Sequence, residues 1–195
     1  MKKIMFSDKF LLTQAVLEGR KTQTRRICKE QVWAHSDIVN AENGIFHFEI
    51  PKYKVGEVVA VAQSYTTIFD NGEEPKDFFV YPSDTEIDIN SKYSIEGLRN
   101  KLFVKAEYMP HQIRITNVRV EKLQDISEQD AIAEGITYVG LTHDDYGEPM
   151  FVIDSCKEEF SSARDAYACL IDKISGKGTW TSNPYVFVYD FKLIK

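Results

Sequence analysis

Cysteine is scarce and unpatterned in this chain. Cys28, Cys156 and Cys169 are the three it has, and none belongs to a Cys-x-x-Cys pair. An odd number at such wide spacing argues against a disulfide framework and fits a reducing compartment. His35, His47, His111 and His143 show no ligand spacing with one another or with the cysteines, so neither a metal nor another cofactor is called for. Long apolar runs are missing as well: no stretch approaches the ~20 residues that cross a bilayer. The opening Met1 to Phe6 starts like a signal peptide, but Ser7-Asp8-Lys9 interrupts it before an apolar run of about seven residues can form. The expectation is a soluble cytoplasmic protein with no membrane partner. Positive charge is in deficit, with 24 Lys and Arg against 30 Asp and Glu for a net charge of -6. That balance favours a small ligand or a short single strand over long duplex nucleic acid, which needs a broader basic surface.

Aromatic and apolar side chains are well supplied. The 195 residues are 43% hydrophobic and 12% aromatic, enough for a substantial core, and ten Tyr with twelve Phe favour strands over a helical bundle. The length suits one domain over residues 1–195 with embellishing loops. The segment between Asp70 and Asn100, rich in Asp, Glu, Ser, Asn and Gly, reads as a long loop or insertion with one short strand at Phe78 to Tyr81.

The elements follow from periodicity and punctuation. A first helix is bounded by Ser7 as cap and Gly19 as left-handed stop, with Phe6 and Leu11 at staple positions and Leu11, Leu12, Ala15 and Val16 buried. Residues 32–50 suggest a hairpin turning at Asn43-Gly44. Lys54 to Glu57 reads as a tight turn into Val58 to Ala62, a strand buried on both faces. Leu102 to Tyr108 and His111 to Lys122 read as two more strands, the second changing phase between Ile115 and Val118. Ser127 opens a capping box for a short helix that Gly135 stops. The spacing of Phe160, Ala163, Tyr167, Leu170, Ile171 and Ile174 predicts an amphipathic helix from about Lys157 to Ile174, ended by Gly176-Lys177-Gly178. A final strand from Tyr185 to Leu193 presents Tyr185, Phe187, Tyr189, Phe191 and Leu193 on one face.

Against this background Gly19-Arg20-Lys21-Thr22-Gln23-Thr24-Arg25-Arg26 stands out. Arg20, Lys21, Arg25, Arg26 and Lys29 fall within ten positions that hold no acid. The segment leaves a helix, where unpaired carbonyls favour cations. It reads either as a site for an anionic or polar ligand or as a solvated loop whose bases pair with nearby acids. Lys21 and Thr24 have the chemistry of a base and a nucleophile. In an ideal strand, however, positions 21 and 24 point to opposite faces. Glu134, an acid in the last turn of its helix, opposes the macrodipole and wants a cation. Taken alone, the simpler expectation for it is a solvent-exposed acid whose penalty is screened. Gly176-Lys177-Gly178-Thr179 lacks the first glycine and spacer of a phosphate loop and follows a helix, so that reading is rejected. Trp180 is either a stacking platform for a base or a core aromatic over the end of the long helix, with the core preferred.

The helix followed by Gly19-x-Lys21-x-x-Thr24-x-Arg26, the Val55-Gly56-Glu57 turn and the closing aromatic strand resemble the ASCH family of the PUA-like superfamily. Longer bacteriophage-encoded ASCH proteins are more similar still, through Leu123 to Glu128, Ala131 to Gly135, Gly176 to Trp180 and Asn183-Pro184. The resemblance implies an α+β fold, a partly open mixed β-barrel with helices packed at its rim, and a cleft bordered by the segment after the first helix. Compact ASCH enzymes hydrolyse the acetyl amide of N4-acetylcytidine, and the resemblance carries their Lys, Thr and Glu onto Lys21, Thr24 and Glu134. Lys21 would then act as general base towards Thr24, with Glu134 shuttling the proton to the leaving amine and Arg26 helping to hold the substrate or the developing oxyanion. The longer branch commonly carries Arg-Glu where this chain has Ala62-Gln63. The competing reading is a non-catalytic reader of a nucleoside or short single-stranded RNA. There Arg25, Arg26 and Lys29 touch phosphate and Trp180 or Tyr185 stacks a base, with Lys177 and Asn183 in the same binding set. A phage accessory protein that merely keeps the fold is a third.

Overall fold

A computed structural model describes residues 1–28, 51–70, 72, 100–142, 147–156 and 158–194. The expected hairpin at 32–50, Lys29 and nearly all of the 70–100 insertion lie outside the described residues. Among the described residues the fold is mixed α+β, with eight strands in a five-stranded and a three-stranded sheet, neither of which closes into a ring. The chain divides into two compact units, residues 1–6, 58–114 and 193–195 in the first and 7–57 and 115–192 in the second.

In the first unit β1 (Lys3–Ile4) runs parallel to β3 (Val58–Val61), which pairs antiparallel with the start of β4 (Gln112–Lys122). Val59 to Ala62 are fully buried, as the apolar run predicts. Ser64 caps α2 (Tyr65–Asp70) by accepting from the Thr67 amide. The core gathers Ala60, Ile68, Val104, Ala106 and Met109. No strand forms over 102–108. That stretch is turn and a short 3-10 helix at Ala106–Tyr108, with Leu102 and Phe103 exposed. The Lys3 ammonium takes the carbonyls of Lys101, Leu102 and Val104, acceptors that a ladder would otherwise have used.

In the second unit α1 (Leu12–Leu17) leads into β2 (Gln23–Ile27), and β2 pairs antiparallel with β8 (Tyr185–Leu193), which neighbours the remainder of β4. The first helix starts later than Ser7. Leu11 sits at φ 53, and the Ser7 carbonyl, not its hydroxyl, accepts from the Leu12 amide, so residues 8–11 form a turn that leaves Leu11 exposed. Gly19 does take the left-handed conformation, at φ 74. Alternation along β4 breaks at Thr116-Asn117, both exposed, where the phase change was expected.

Ser127 caps α3 (Glu128–Ala133) as predicted, accepting from the Asp130 amide at 3.1 Å. The long helix, α4 (Ala163–Ser175), starts at Ser162 rather than near Lys157, because Phe160 belongs to the short β7 (Glu159–Phe160). Glu128 reaches across from α3 and accepts from the Ala163 amide at 2.7 Å, placing a negative charge at the α4 N-terminus. Ala163, Ala166, Tyr167, Leu170 and Ile171 form its buried stripe. β5 (Thr137–Leu141), β6 (Pro149–Val152) and β7 make the three-stranded sheet. After the Gly176 to Gly178 turn comes α5 (Thr179–Ser182). Val186 to Tyr189 are consecutively buried, so β8 is covered on both faces and not only on its aromatic one.

Candidate functional site

Three backbone bonds fix the segment that dominates the sequence. The Lys21 amide donates to the Ala15 carbonyl and the Thr22 amide to the Ala133 carbonyl, while the Thr22 carbonyl accepts from Phe191. The exits of α1 and α3 therefore meet at the start of β2. Gly135 makes the approach possible. It sits at φ 100, and a Cβ there would lie 3.2 Å from Leu12 Cδ2 and 3.6 Å from Lys21 Cβ.

From β2 onward the pleat sorts the side chains. Gln23 pairs with Asp190 and Arg25 with Val188, whereas Thr24 pairs with Tyr189 and Arg26 with Phe187. Residues directly opposite in an antiparallel ladder share a face. Gln23 and Arg25 consequently lie on one face of β2, and Thr24 and Arg26 on the other.

Lys21 joins the Gln23 and Arg25 side. Its Nζ donates to the Glu134 carboxylate at 2.6 Å and to the Glu134 carbonyl at 2.7 Å. Arg25 donates to Glu134 at 3.2 Å, to Glu121 at 2.6 and 3.0 Å, to Asp130 at 3.3 Å and to Gln23 Oε1 at 2.5 Å. Gln23 in turn donates to Asp130 and Asp190, and Arg119 links Glu121, Asp130 and Asp190. Glu134 is not the exposed acid that its position suggests: it is 4% exposed, and Lys21 2%. The macrodipole penalty is answered by two buried cations.

The electrostatics follow from this packing. Burial lowers the Lys21 ammonium from its ordinary value, with Glu134 opposing the shift and Arg26 and Arg25 reinforcing it. For Arg25, burial acts to lower the guanidinium, but Glu134, Tyr167 and Glu121 outweigh it and the net shift is upward. Asp130 ends below its ordinary range because Gln23, Arg25 and Arg119 overcome its desolvation. Tyr167, buried and close to Glu134, is pushed well above the usual phenol range.

The proposed catalytic trio thus divides. Lys21 and Glu134 meet, while Thr24 lies on the other face of β2, and among the described residues no hydrogen bond joins it to either. Arg25, expected on phosphate, points inward with a fully buried side chain, and Arg26 is half-buried.

The four downstream candidates lie in one neighbourhood of sequence. Lys177 is exposed in the turn between α4 and α5. Trp180 stands edge-on to Tyr167 at 6.4 Å, and the Arg164 guanidinium lies 5.4 Å from its ring centroid. Lys122 Nζ lies 3.8 Å from the Tyr185 ring centroid. Asn183 accepts from the Gln124 amide, the Gln124 side chain donates to the Trp180 carbonyl, and Arg164 donates to the Gln124 carbonyl. Gln124 therefore holds the Trp180–Arg164 pair, and the Leu123 amide, donating to the Pro184 carbonyl, ties the same segment down beside Tyr185.

Sequence reasoning missed Gln23, Glu121, Asp130, Asp190 and Arg119 in the buried network, and Lys122, Gln124 and Arg164 on the surface. Part of the signal was present. Gln23 and Arg25, like Arg119 and Glu121, recur at the strand period of two, and Asp130 lies four residues before Glu134, one helical turn away. What joins these elements is tertiary.

No protein-family model matches the chain, and no curated protein does. Among solved structures it is similar to a DUF984-family protein from Enterococcus faecalis V583, with 15% identity and a TM-score of 0.40 over 100% of this chain and 80% of that one. It is also similar to an ASCH domain from Lactobacillus crispatus JV V101, with 12% identity and a TM-score of 0.36 over 96% of this chain and 75% of that one.

Proposed function

We propose that this chain is an ASCH-type, PUA-like module that binds a nucleoside or short single-stranded RNA through the surface built by Lys122, Gln124, Arg164, Trp180 and Tyr185. One observation carries the reading: two aromatic rings each have a cation against them, and the 122–124 segment reaches both, since Lys122 lies against Tyr185 while Gln124 bonds the Trp180 carbonyl and Arg164. Rings supply stacking surfaces that accept any base, and the adjacent cations answer a phosphate. Lys177 extends the positive charge, and Asn183 positions the loop by holding the Gln124 amide. The net charge of -6 suits a short ligand better than a long duplex. In this reading Lys21, Arg25 and Glu134 are positioning residues that brace β2.

Hydrolysis of N4-acetylcytidine is the second reading. The 2.6 Å contact between Lys21 and Glu134 favours it, as does the Gly19-Arg20-Lys21-Thr22-x-Thr24 resemblance. Its weak step is proton transfer from Thr24 to Lys21 across β2.

Fluorescence anisotropy with a labelled short single-stranded RNA tests the proposal. Trp180→Ala and Tyr185→Ala should each weaken binding about tenfold, since a base stacked on an aromatic ring is worth about 1–3 kcal/mol. Lys122→Ala should flatten the salt dependence by about 0.7 in slope, and Thr24→Ala should leave binding unchanged. Absence of binding, or binding indifferent to both aromatic substitutions, refutes it. Release of cytidine from N4-acetylcytidine by the wild type, abolished by Lys21→Ala and by Thr24→Ala, would establish the second reading instead.

A further inference from the structure

Two of the three cysteines share a setting that the binding surface does not use. Cys28 is buried at the exit of β2, but Cys156 and Cys169 are both partly exposed. Cys156 follows β6, and Cys169 stands one helical turn before Lys173 on α4. Lys173 Nζ lies 3.7 Å from Cys156 Sγ and 2.9 Å from Glu158 Oε2. The same Glu158 oxygen accepts from Cys169 Sγ at 3.3 Å. Both thiols therefore border a single Lys–Glu ion pair.

We propose that Cys156 and Cys169 are a peroxide-sensitive dithiol, with Cys156 the sulfur oxidised first and Cys169 the sulfur that resolves it into a disulfide. The chemistry of the surroundings assigns the roles. Both thiols border Lys173, but Cys156 Sγ faces its ammonium at 3.7 Å whereas Cys169 Sγ donates to the Glu158 carboxylate, so the hydroxide that departs in the first step is answered by a cation at Cys156. Burial and the bond to Glu158 push the Cys169 thiol up, which keeps it protonated until it is needed.

In the first step Cys156 sulfur attacks a peroxide oxygen. The O–O bond breaks, the sulfur becomes a sulfenic acid and hydroxide departs beside the Lys173 ammonium, taking up the thiol proton as water. In the second step Glu158 accepts the Cys169 proton as the Cys169 sulfur attacks Cys156 Sγ. The S–S bond forms as the S–O bond of the sulfenic acid breaks, and the departing hydroxide takes that proton from Glu158 to leave as a second water. Two thiols lose two electrons and one peroxide gains them. Closure needs Lys173 to swing aside, and its pair with Glu158 is exposed enough to yield, at 33% and 57% side-chain exposure.

The test treats the full-length protein with stoichiometric hydrogen peroxide and maps peptides without reduction. The expected product is a Cys156–Cys169 crosslink with Cys28 still a thiol, and a rise in Tm that dithiothreitol reverses. Cys156→Ser should abolish the crosslink. Cys169→Ser should instead accumulate a Cys156 sulfenic acid trapped by dimedone, and Lys173→Ala should slow its appearance. Over-oxidation of both sulfurs without a crosslink, first reaction at Cys28, or no trapped sulfenic acid in Cys169→Ser each overturns the proposal. RNA affinity is not the readout, so failure here is separable from failure of the binding surface.

Discussion

Replacing Glu134 with Gln keeps the shape and one acceptor but removes the charge that two buried cations share. Its oxygens stand 2.6 Å from Lys21 Nζ and 3.2 Å from Arg25 Nη1, and the side chains of the three are 5%, 1% and 0% exposed. Arg25 keeps Glu121 and Asp130 as counter-ions, whereas Lys21 loses its carboxylate partner. A lysine left this way sheds its proton. Neutralising a side chain with an ordinary pKa of about 10.4 at pH 7 costs at most about 4.6 kcal/mol, at 1.36 kcal/mol per unit. That ceiling agrees with the 3–5 kcal/mol typical of removing one partner from a buried ion pair. For a chain of this size each kcal/mol lowers Tm by about 2–4 °C, so Glu134→Gln should melt about 6–20 °C below wild type. The double variant Lys21→Met, Glu134→Leu removes both charges and should recover to within about 1–2 kcal/mol, because it leaves no orphaned ion. Urea denaturation and thermal melts read both. A loss below about 1 kcal/mol in the single variant, or a double variant no better than it, would refute the argument that Glu134 compensates Lys21.

Two further outcomes follow from the same neighbourhood. Gly135→Ala places a Cβ 3.2 Å from Leu12 Cδ2 at φ 100, a conformation that costs a non-glycine residue about 1–3 kcal/mol, so urea midpoints should fall without a change in slope. Asp130, held below its ordinary value of 3.8 in the folded protein, binds fewer protons there than when unfolded across the window between the two values. Stability therefore rises with pH through that window and is lost as acid protonates the folded carboxylate. Asp130→Asn should flatten the acid limb of a Tm-against-pH curve, and an unchanged acid limb would count against the carboxylate's role.

Local chemistry made much of the fold legible. The Ser127 cap, the stops at Gly19 and Gly135, the buried Val59 to Ala62 run and the apolar stripe of α4 depend on residues a few positions apart, which is the distance over which pattern informs. Expectation failed where a remote partner decided. The strand-like Leu102 to Tyr108 gives its carbonyls to Lys3, about a hundred residues away, and Phe160 leaves the helical pattern for a place beside β6. β5 and β6 carry a sequence signal of their own, two apolar runs, Thr137 to Leu141 and Met150 to Ile153, flanking an Asp-, Glu- and Gly-bearing connection. The cation cluster is the sharpest case. Ten positions without an acid look like an open anion site, yet the acids that answer Lys21 and Arg25 come from β4, α3 and the residue that follows α3. Sequence spacing could pair Lys21 with Thr24 by motif. Strand parity sets them on opposite faces, and the β2–β8 register bears that out.

That register connects the buried charges to the surface. Shifting β2 by one residue against β8 would exchange its faces, turning Gln23 and Arg25 away from Asp130, Asp190 and Glu134. The correct register sets the Arg25 guanidinium 5.9 Å from the Tyr167 ring centroid, and Tyr167 stands 6.4 Å from Trp180. Lys21 and Arg25 thus face inward, and Arg25 supports from behind, through Tyr167, the aromatic residue through which a ligand is proposed to be held.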